Sequence, residues 1–447
     1  MASSKRWKFK SLAAGLIRMP VSLYDMIAAK WLSWRDSRHF TLTVAELTPE
    51  ASGQMTAHVQ ADYAMNRRQN GRLQMEAALP LGELEKPASR HRDVWLAKLS
   101  CDDREQIERV RAETRLRNRN NVTRTEAYRR LYLRRPELHW ALLAHMVSRN
   151  AGWNMTDLKG EWLPRLIREA DRNLLFQLLE RCNSYIFHDA YVQLRLYEYS
   201  LAAGRSFMYL LPELGVSRWM VPVWEQFWET RNPVPLTVAL IINEQHFIEQ
   251  RVIQKPFFQE QVLPAFITNL QALLLFNTVL LPYGREQELR LAGLSIERFE
   301  RIEKRIEFGK SLYALLYGAP SIKNGVIDFV QRTAHTGSRA DYAPLLYQAG
   351  LPSLTEPAAP YQKRLHGGNI EPGKPLLLSP VLEEAWSDRA LSYPETGDWY
   401  QSALDVEPYV HKMPLPHLFE KTREHLFLMN KMELAVLAKE RMNGSGR

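Results

Sequence analysis

Cysteine is nearly absent from this chain of 447 residues, with only Cys101 and Cys182 present. Two thiols exclude a disulfide framework and a cysteine-ligated structural zinc site. Long uncharged runs are equally scarce. Gln261–Gly284 carries no charge and is long enough to cross roughly 30 Å of hydrocarbon. It holds Asn269, Gln271 and Asn277 between Pro264 and Pro282, and each amide would need a partner in lipid. The run therefore predicts a core helix over 265–281 and no transmembrane span.

Catalytic signatures are missing too. The chain has no G-x-G-x-x-G, no G-x-S-x-G, no H-E-x-x-H and no Glu-x-x-His. Gly309-Lys310-Ser311 is similar to the end of a phosphate loop, but Lys304 stands where the first glycine belongs. Its upstream residues also look helical, whereas such a loop must follow a strand. His188-Asp189, with His145 and Asp328, could imitate the metal set of an all-α phosphohydrolase. One His-Asp pair among 12 histidines arises readily by chance, so no metal and no cofactor are implied. Alternating strand patterns are hard to find, and Phe40–Val44 is the best short candidate.

What the chain has is helical periodicity and localised positive charge. The net charge is +9, from 59 basic and 50 acidic residues. Residues 1–40 carry eight Lys/Arg and two acids, and residues 104–135 carry eleven Arg and four Glu. These two segments exceed the whole excess, so an anionic membrane surface or an acidic partner fits 1–39 and 104–135. In the first segment Lys5-Arg6-Trp7-Lys8-Phe9-Lys10 interleaves cations and aromatics. Leu23, Met26, Ile27, Trp31 and Trp34 then recur at helical spacing beside Lys30, Arg35 and Arg38. Trp7, Trp31 and Trp34 are the candidate membrane contacts of an interfacial helix. The competing expectation is an ordinary helix docked on its own protein by those tryptophans.

The fold class expected is all-α: a large multi-helix body with a Pro/Gly-rich extended segment near the C-terminus. The divisions read as a basic amphipathic segment 1–39, a poorly defined connector 40–90 and a helical core 91–345. An extended segment 346–410, with prolines from Pro352 to Pro394, and a C-terminal helix within 411–447 complete the chain. Thr123-Arg124-Thr125-Glu126 reads as a capping box, and Asn150-Ala151-Gly152 as the stop of a helix that begins near Pro136. Thr156 or Asp157 then caps the next helix.

That stop creates the main candidate polar site: a corner bearing His145, Arg149, Asn150, Asn154 and Asp157. His145 and Arg149 share a helix face, and Arg149 with nearby amides could clamp a phosphate or carboxylate. Asn243, Glu244 and His246 interrupt an apolar helix and form the second candidate, read first as an interhelical hydrogen-bond network and then as an acid/base site. His335–Tyr342 reads as an exposed, donor-rich loop.

The stretches Asn121-Val122-Thr123-Arg124-Thr125-x-Ala127-Tyr128, His139-Trp140, Ala144-His145-Met146-Val147-Ser148-Arg149-Asn150-x-Gly152-Trp153-Asn154-Met155-Thr156-Asp157-Leu158 and Ile242-Asn243-Glu244-Gln245 resemble the YppC-like proteins of spore-forming bacteria. The likeness covers roughly 91–345. That family is a domain of unknown function, so the resemblance implies a bacterial cytoplasmic protein and supplies no catalytic residue. The function is thus unknown. The leading reading is a cytoplasmic all-helical binding or scaffold protein, peripheral at the inner membrane face. The alternatives are an all-α hydrolase acting on a phosphorylated substrate, and a nucleic-acid-binding protein using 104–135.

Overall fold

The computed structural model describes residues 26–43, 46–57, 59–60, 99–268, 275–285, 288–351, 360–389, 393–395, 397–400 and 403–444. Trp7 and most of the connector 40–90 lie outside the described residues. Helix dominates. The longer helices are α1 (26–37), α2 (Cys101–Arg117), α3 (Asn121–Arg134), α4 (His139–Asp157), α5 (Glu169–Ala203), α6 (Met220–Thr230), α7 (Pro233–Ile248), α8 (Ile302–Gly318), α9 (Pro320–Arg332) and α10 (Thr422–Gly444). Among the described residues sheet is limited to three two-stranded pairs. These are β1 (Thr278–Pro282) with β2 (Leu291–Ser295), β3 (Tyr347–Gln348) with β6 (Leu377–Leu378), and β4 (Leu365–His366) with β5 (Asn369–Ile370).

Local chemistry starts and stops these helices. The capping box of α3 lies three residues upstream of the one read from sequence. The Asn120 side chain accepts from the Thr123 amide at 3.0 Å, and the Thr123 hydroxyl accepts from the Asn120 amide at 3.1 Å. Glu126 instead pairs with Arg129 and Arg130. Helix α5, 35 residues long, ends at Gly204, whose φ of 68° suits a residue without a Cβ.

Several helix boundaries differ from the sequence reading. Asn150-Ala151-Gly152 does not stop α4, which runs on to Asp157. The run over 265–281 is not one helix: a helical stretch ends at Thr268 and strand β1 begins at Thr278. The β-branched Thr278 and Val279 pair with Ser295 and Leu294 across the hairpin. Phe40–Thr43 forms no strand; the Thr43 amide donates singly to the Gly318 carbonyl at 2.8 Å. Gly309, Lys310 and Ser311 lie inside α8. A Cβ on Gly309 would sit 2.8 Å from Ile241, so that glycine serves close packing of α8 on α7.

Most of the core is one cluster of buried apolar side chains from Leu47 to Val436 that includes Trp140, Trp153, Trp219 and Trp224, and a smaller second cluster gathers Leu178, Cys182, Tyr185, Phe247 and Ile248. The irregular residues before α10 are tied to it. Trp386 stacks on Phe176 at 3.9 Å and donates to the Met155 carbonyl at 2.8 Å. Buried Glu433 of α10 accepts from the Tyr361 hydroxyl at 2.9 Å and the Arg364 amide at 2.6 Å.

Candidate functional site

Helix α1 carries its polar face inward. Ala29, Ser33 and Ser37 are buried, four residues apart. The Ser33 hydroxyl donates to the Glu420 carbonyl, and the Ser37 hydroxyl accepts the amides of Phe419 (3.1 Å) and Glu420 (3.0 Å). The opposite face presents Ile27, Trp31 and Trp34, which are 57%, 55% and 40% exposed. Exposed Lys30, Arg35 and Arg38 flank them. The Arg35 and Arg38 guanidiniums lie over the Trp31 and Trp34 rings at 5.6 and 4.9 Å. The serines, and not the tryptophans, therefore anchor this helix to its own protein.

The polar residues of α4 are sealed in the core. His145 donates from Nδ1 to the Thr125 carbonyl (2.8 Å), and its Nε2 accepts from Arg149 Nε (2.9 Å). Both rings of bonds suit a neutral imidazole, and burial, with Arg149 beside it, holds His145 well below its usual range. Arg149 is 0% exposed, donates to the Thr333 carbonyl and lies 4.0 Å from Asp341. The expected corner clamp is absent because no helix ends there. Asn150 is bonded to Met146 and Leu280. Asp157 forms a close ion pair with Arg339 (2.7 Å), which also reaches Asn154 (3.2 Å).

That pairing corrects the reading of His335–Tyr342 as an exposed loop. His335, Ser338, Arg339 and Tyr342 are all buried. His335 Nε2 meets Asn121 Oδ1 at 2.8 Å, since the Asn121 amide donates to Ser148. Sequence inspection missed Asp341 and Arg339 as partners of α4. Their only signal was charge in a Gly/Ser-rich stretch, which ordinarily marks solvent.

On α7 the three candidates separate. Asn243 bridges helices, donating to Asp189 Oδ2 (2.6 Å) and accepting from Trp399 Nε1 (2.8 Å). His246 stacks on the Trp399 ring at 4.1 Å. Glu244 turns to a cavity of about 220 Å³ bounded by α4, α5, α7, α8 and the β1–β2 hairpin. Asn150 and Asn154 line the same cavity, so it unites three of the residues singled out from sequence. His145, Arg149, Asp157, Asn243 and His246 are not among its lining residues. Desolvation pushes the Glu244 carboxyl up to about 8, and that of neighbouring Asp189 up to about 7.

Part of the basic run 104–135 is neutralised by acids from elsewhere in the chain. Arg119 pairs with Glu383 and Asp388, Arg124 with Glu180, and Arg134 and Arg135 with Glu198. All these acids lie outside the run. Among the described residues no group of three or more His, Cys, Asp or Glu side chains has metal-binding geometry, and no helix is long and apolar enough to cross a membrane.

Residues 116–424 match the model of a family described as "Protein of unknown function (DUF2515)". The chain is also 40% identical over 254 residues to the uncharacterised protein YppC of Bacillus subtilis (strain 168), covering 57% of this chain and 77% of that protein. No solved structure matches.

Proposed function

Given that this chain belongs to the DUF2515 family of proteins of unknown function, we propose from its own geometry that it is a helical binding protein that docks on an anionic membrane surface. The observation that carries this reading is the orientation of α1, with serines inward and Trp31 and Trp34 outward. Indole rings favour headgroup depth, and each nearby cation adds about 1 kcal/mol over anionic lipid. Lys30 and Arg38 supply that charge, whereas Arg35 is offset by Asp36 at 2.9 Å. The basic residues 1–25 extend the same attraction. A bacterial cytoplasmic protein peripheral at the inner membrane face fits this surface.

Within the same reading, 91–345 is the helical body and 346–410 is an extended strap that ties it to α10. Arg119, Arg124, Arg134 and Arg135 hold that body together, so neither nucleic acid nor a second acidic partner is assigned to the run 104–135. Fluorescence tests the docking. Adding phosphatidylglycerol vesicles should shift the emission of the full chain to the blue, less so at high salt. Replacing Trp31 and Trp34 by Phe should remove most of the shift. No shift in the parent protein would contradict the reading.

A further inference from the structure

The cavity against α7 has the chemistry of a ligand site that membrane docking does not use. We propose that it binds a small hydrophobic organic cation, an apolar amine or ammonium compound, with Glu244 as counter-ion and the aromatic walls around the charge.

The walls come first. Trp140, Tyr128, Phe299 and Phe308 line the cavity. Aromatic faces attract a cation within about 6 Å, most strongly where water is excluded. At about 220 Å³ the space is several-fold larger than the ~30 Å³ share of one water. Trp140 and Tyr128 meet edge to face at 5.5 Å and are both buried, so this wall is preformed.

The polar groups then select the ligand. Glu244 faces the cavity with only neutral partners: the Gln245 amide at 3.1 Å and the Trp140 indole. The guanidinium that lines the same cavity is already engaged. Arg305 pairs with Glu249, donates to Gln245 Oε1 at 3.0 Å and donates to the Phe299 carbonyl at 2.8 Å. Asp189 lies close enough to add negative charge, partly offset by Arg251, and its Oδ1 has no hydrogen-bond partner among the described residues. Among the described residues the Tyr128 hydroxyl, buried in the wall, is likewise without a partner, and it can accept from an ammonium N–H. Among the described residues an ionised Glu244 therefore has no cation paired to it in a low-dielectric space. A ligand that brings one positive charge wrapped in apolar surface supplies it. An anion would meet Glu244 and Asp189, and a neutral molecule would leave the carboxylate unpaired.

Titration calorimetry on the full chain tests this with two probes of equal shape. One is phenethyltrimethylammonium, and the other is its neutral tert-butyl isostere. The cation is expected to bind saturably and at least about tenfold more tightly than the isostere. Because its charge is fixed, its affinity should rise about tenfold or more from about pH 6.5 to 8.5 as Glu244 loses its proton. Glu244→Gln preserves the side chain's shape and should remove most of the preference and of the pH dependence, leaving the smaller part that Asp189, raised to about 7, contributes. The pH series on the parent protein stands even where that variant fails to fold. Equal binding of the two probes, a pH-independent affinity or no saturable binding of the cation would each overturn the proposal.

Discussion

Asn150 and Gly152 show how one residue type can carry two opposite meanings. In sequence they stop a helix; in the structure both are packed inside one. The Asn150 side chain imitates a strand edge, donating to the Leu280 carbonyl and accepting from the Leu280 amide, both at 2.8 Å. Asn150→Ala would strand two buried backbone groups of β1 and should cost about 2–4 kcal/mol by chemical denaturation, more than a lost cap. Gly152 faces Asn121 and His335, which would lie 2.4 and 2.6 Å from a Cβ. Both neighbours are pinned by other bonds. Gly152→Ala should therefore destabilise by about 1–3 kcal/mol, although alanine favours an isolated helix by about 1 kcal/mol. A raised melting temperature would show that the neighbours can move aside.

Titration at single residues gives a further expectation. Glu244 and Asp189 have carboxyls raised to about 8 and 7, so the folded state holds protons that the unfolded chain has released. Their stabilisation is full below the unfolded carboxylate range and is lost as pH rises through those values. Burial lowers His139, His188 and His246 to about 4, which opposes the carboxyl trend only below the ordinary histidine range of about 6.5. Burial also lowers Lys310 to about 8, which adds stability as pH rises beyond that value. Stability should therefore fall from about pH 6.5 to 7.5, by no more than about 1.4 kcal/mol per pH unit for each carboxyl. Glu244→Gln should flatten that slope. A curve that rises across this interval would contradict the burial of both acids.

At the scale of elements, α1 was half legible. Its apolar stripe and flanking cations stand in the sequence, but nothing there says which face meets the protein. Ser33 and Ser37 decide it, because their hydroxyls bond the chain at Phe419–Glu420, nearly 400 positions away. Trp31→Ser should then change stability by less than about 0.5 kcal/mol, as an exposed substitution does, whereas Ser37→Ala removes the acceptor of two amides and should cost about 1–2 kcal/mol. Thermal melts of the two variants give the order directly. The run 265–281 was misread for a related reason. A short apolar stretch has no face of its own, and only pairing with Leu291–Ser295 makes Thr278–Pro282 a strand.

At the scale of the whole molecule, the helical class and the long helices were readable from capping residues and periodicity. The polar sites were not, because their partners are remote in sequence: Arg339 for Asp157, Asp341 for Arg149, Asp189 for Asn243. Charge showed the same limit. The run 104–135 looks like one basic patch in one dimension, but Arg119, Arg124, Arg134 and Arg135 meet carboxylates from α5 and from Glu383 and Asp388 in three. The outer face of α1 keeps both its cations and its indoles, and that contrast is the basis of the membrane reading. Flotation of the full chain with anionic and zwitterionic vesicles tests it most directly. The parent protein should rise with the anionic vesicles at low salt, and the Trp31→Ser/Trp34→Ser double variant should stay behind with an unchanged melting temperature. A double variant that floats as well as the parent, or a parent protein that does not float at all, would contradict the account.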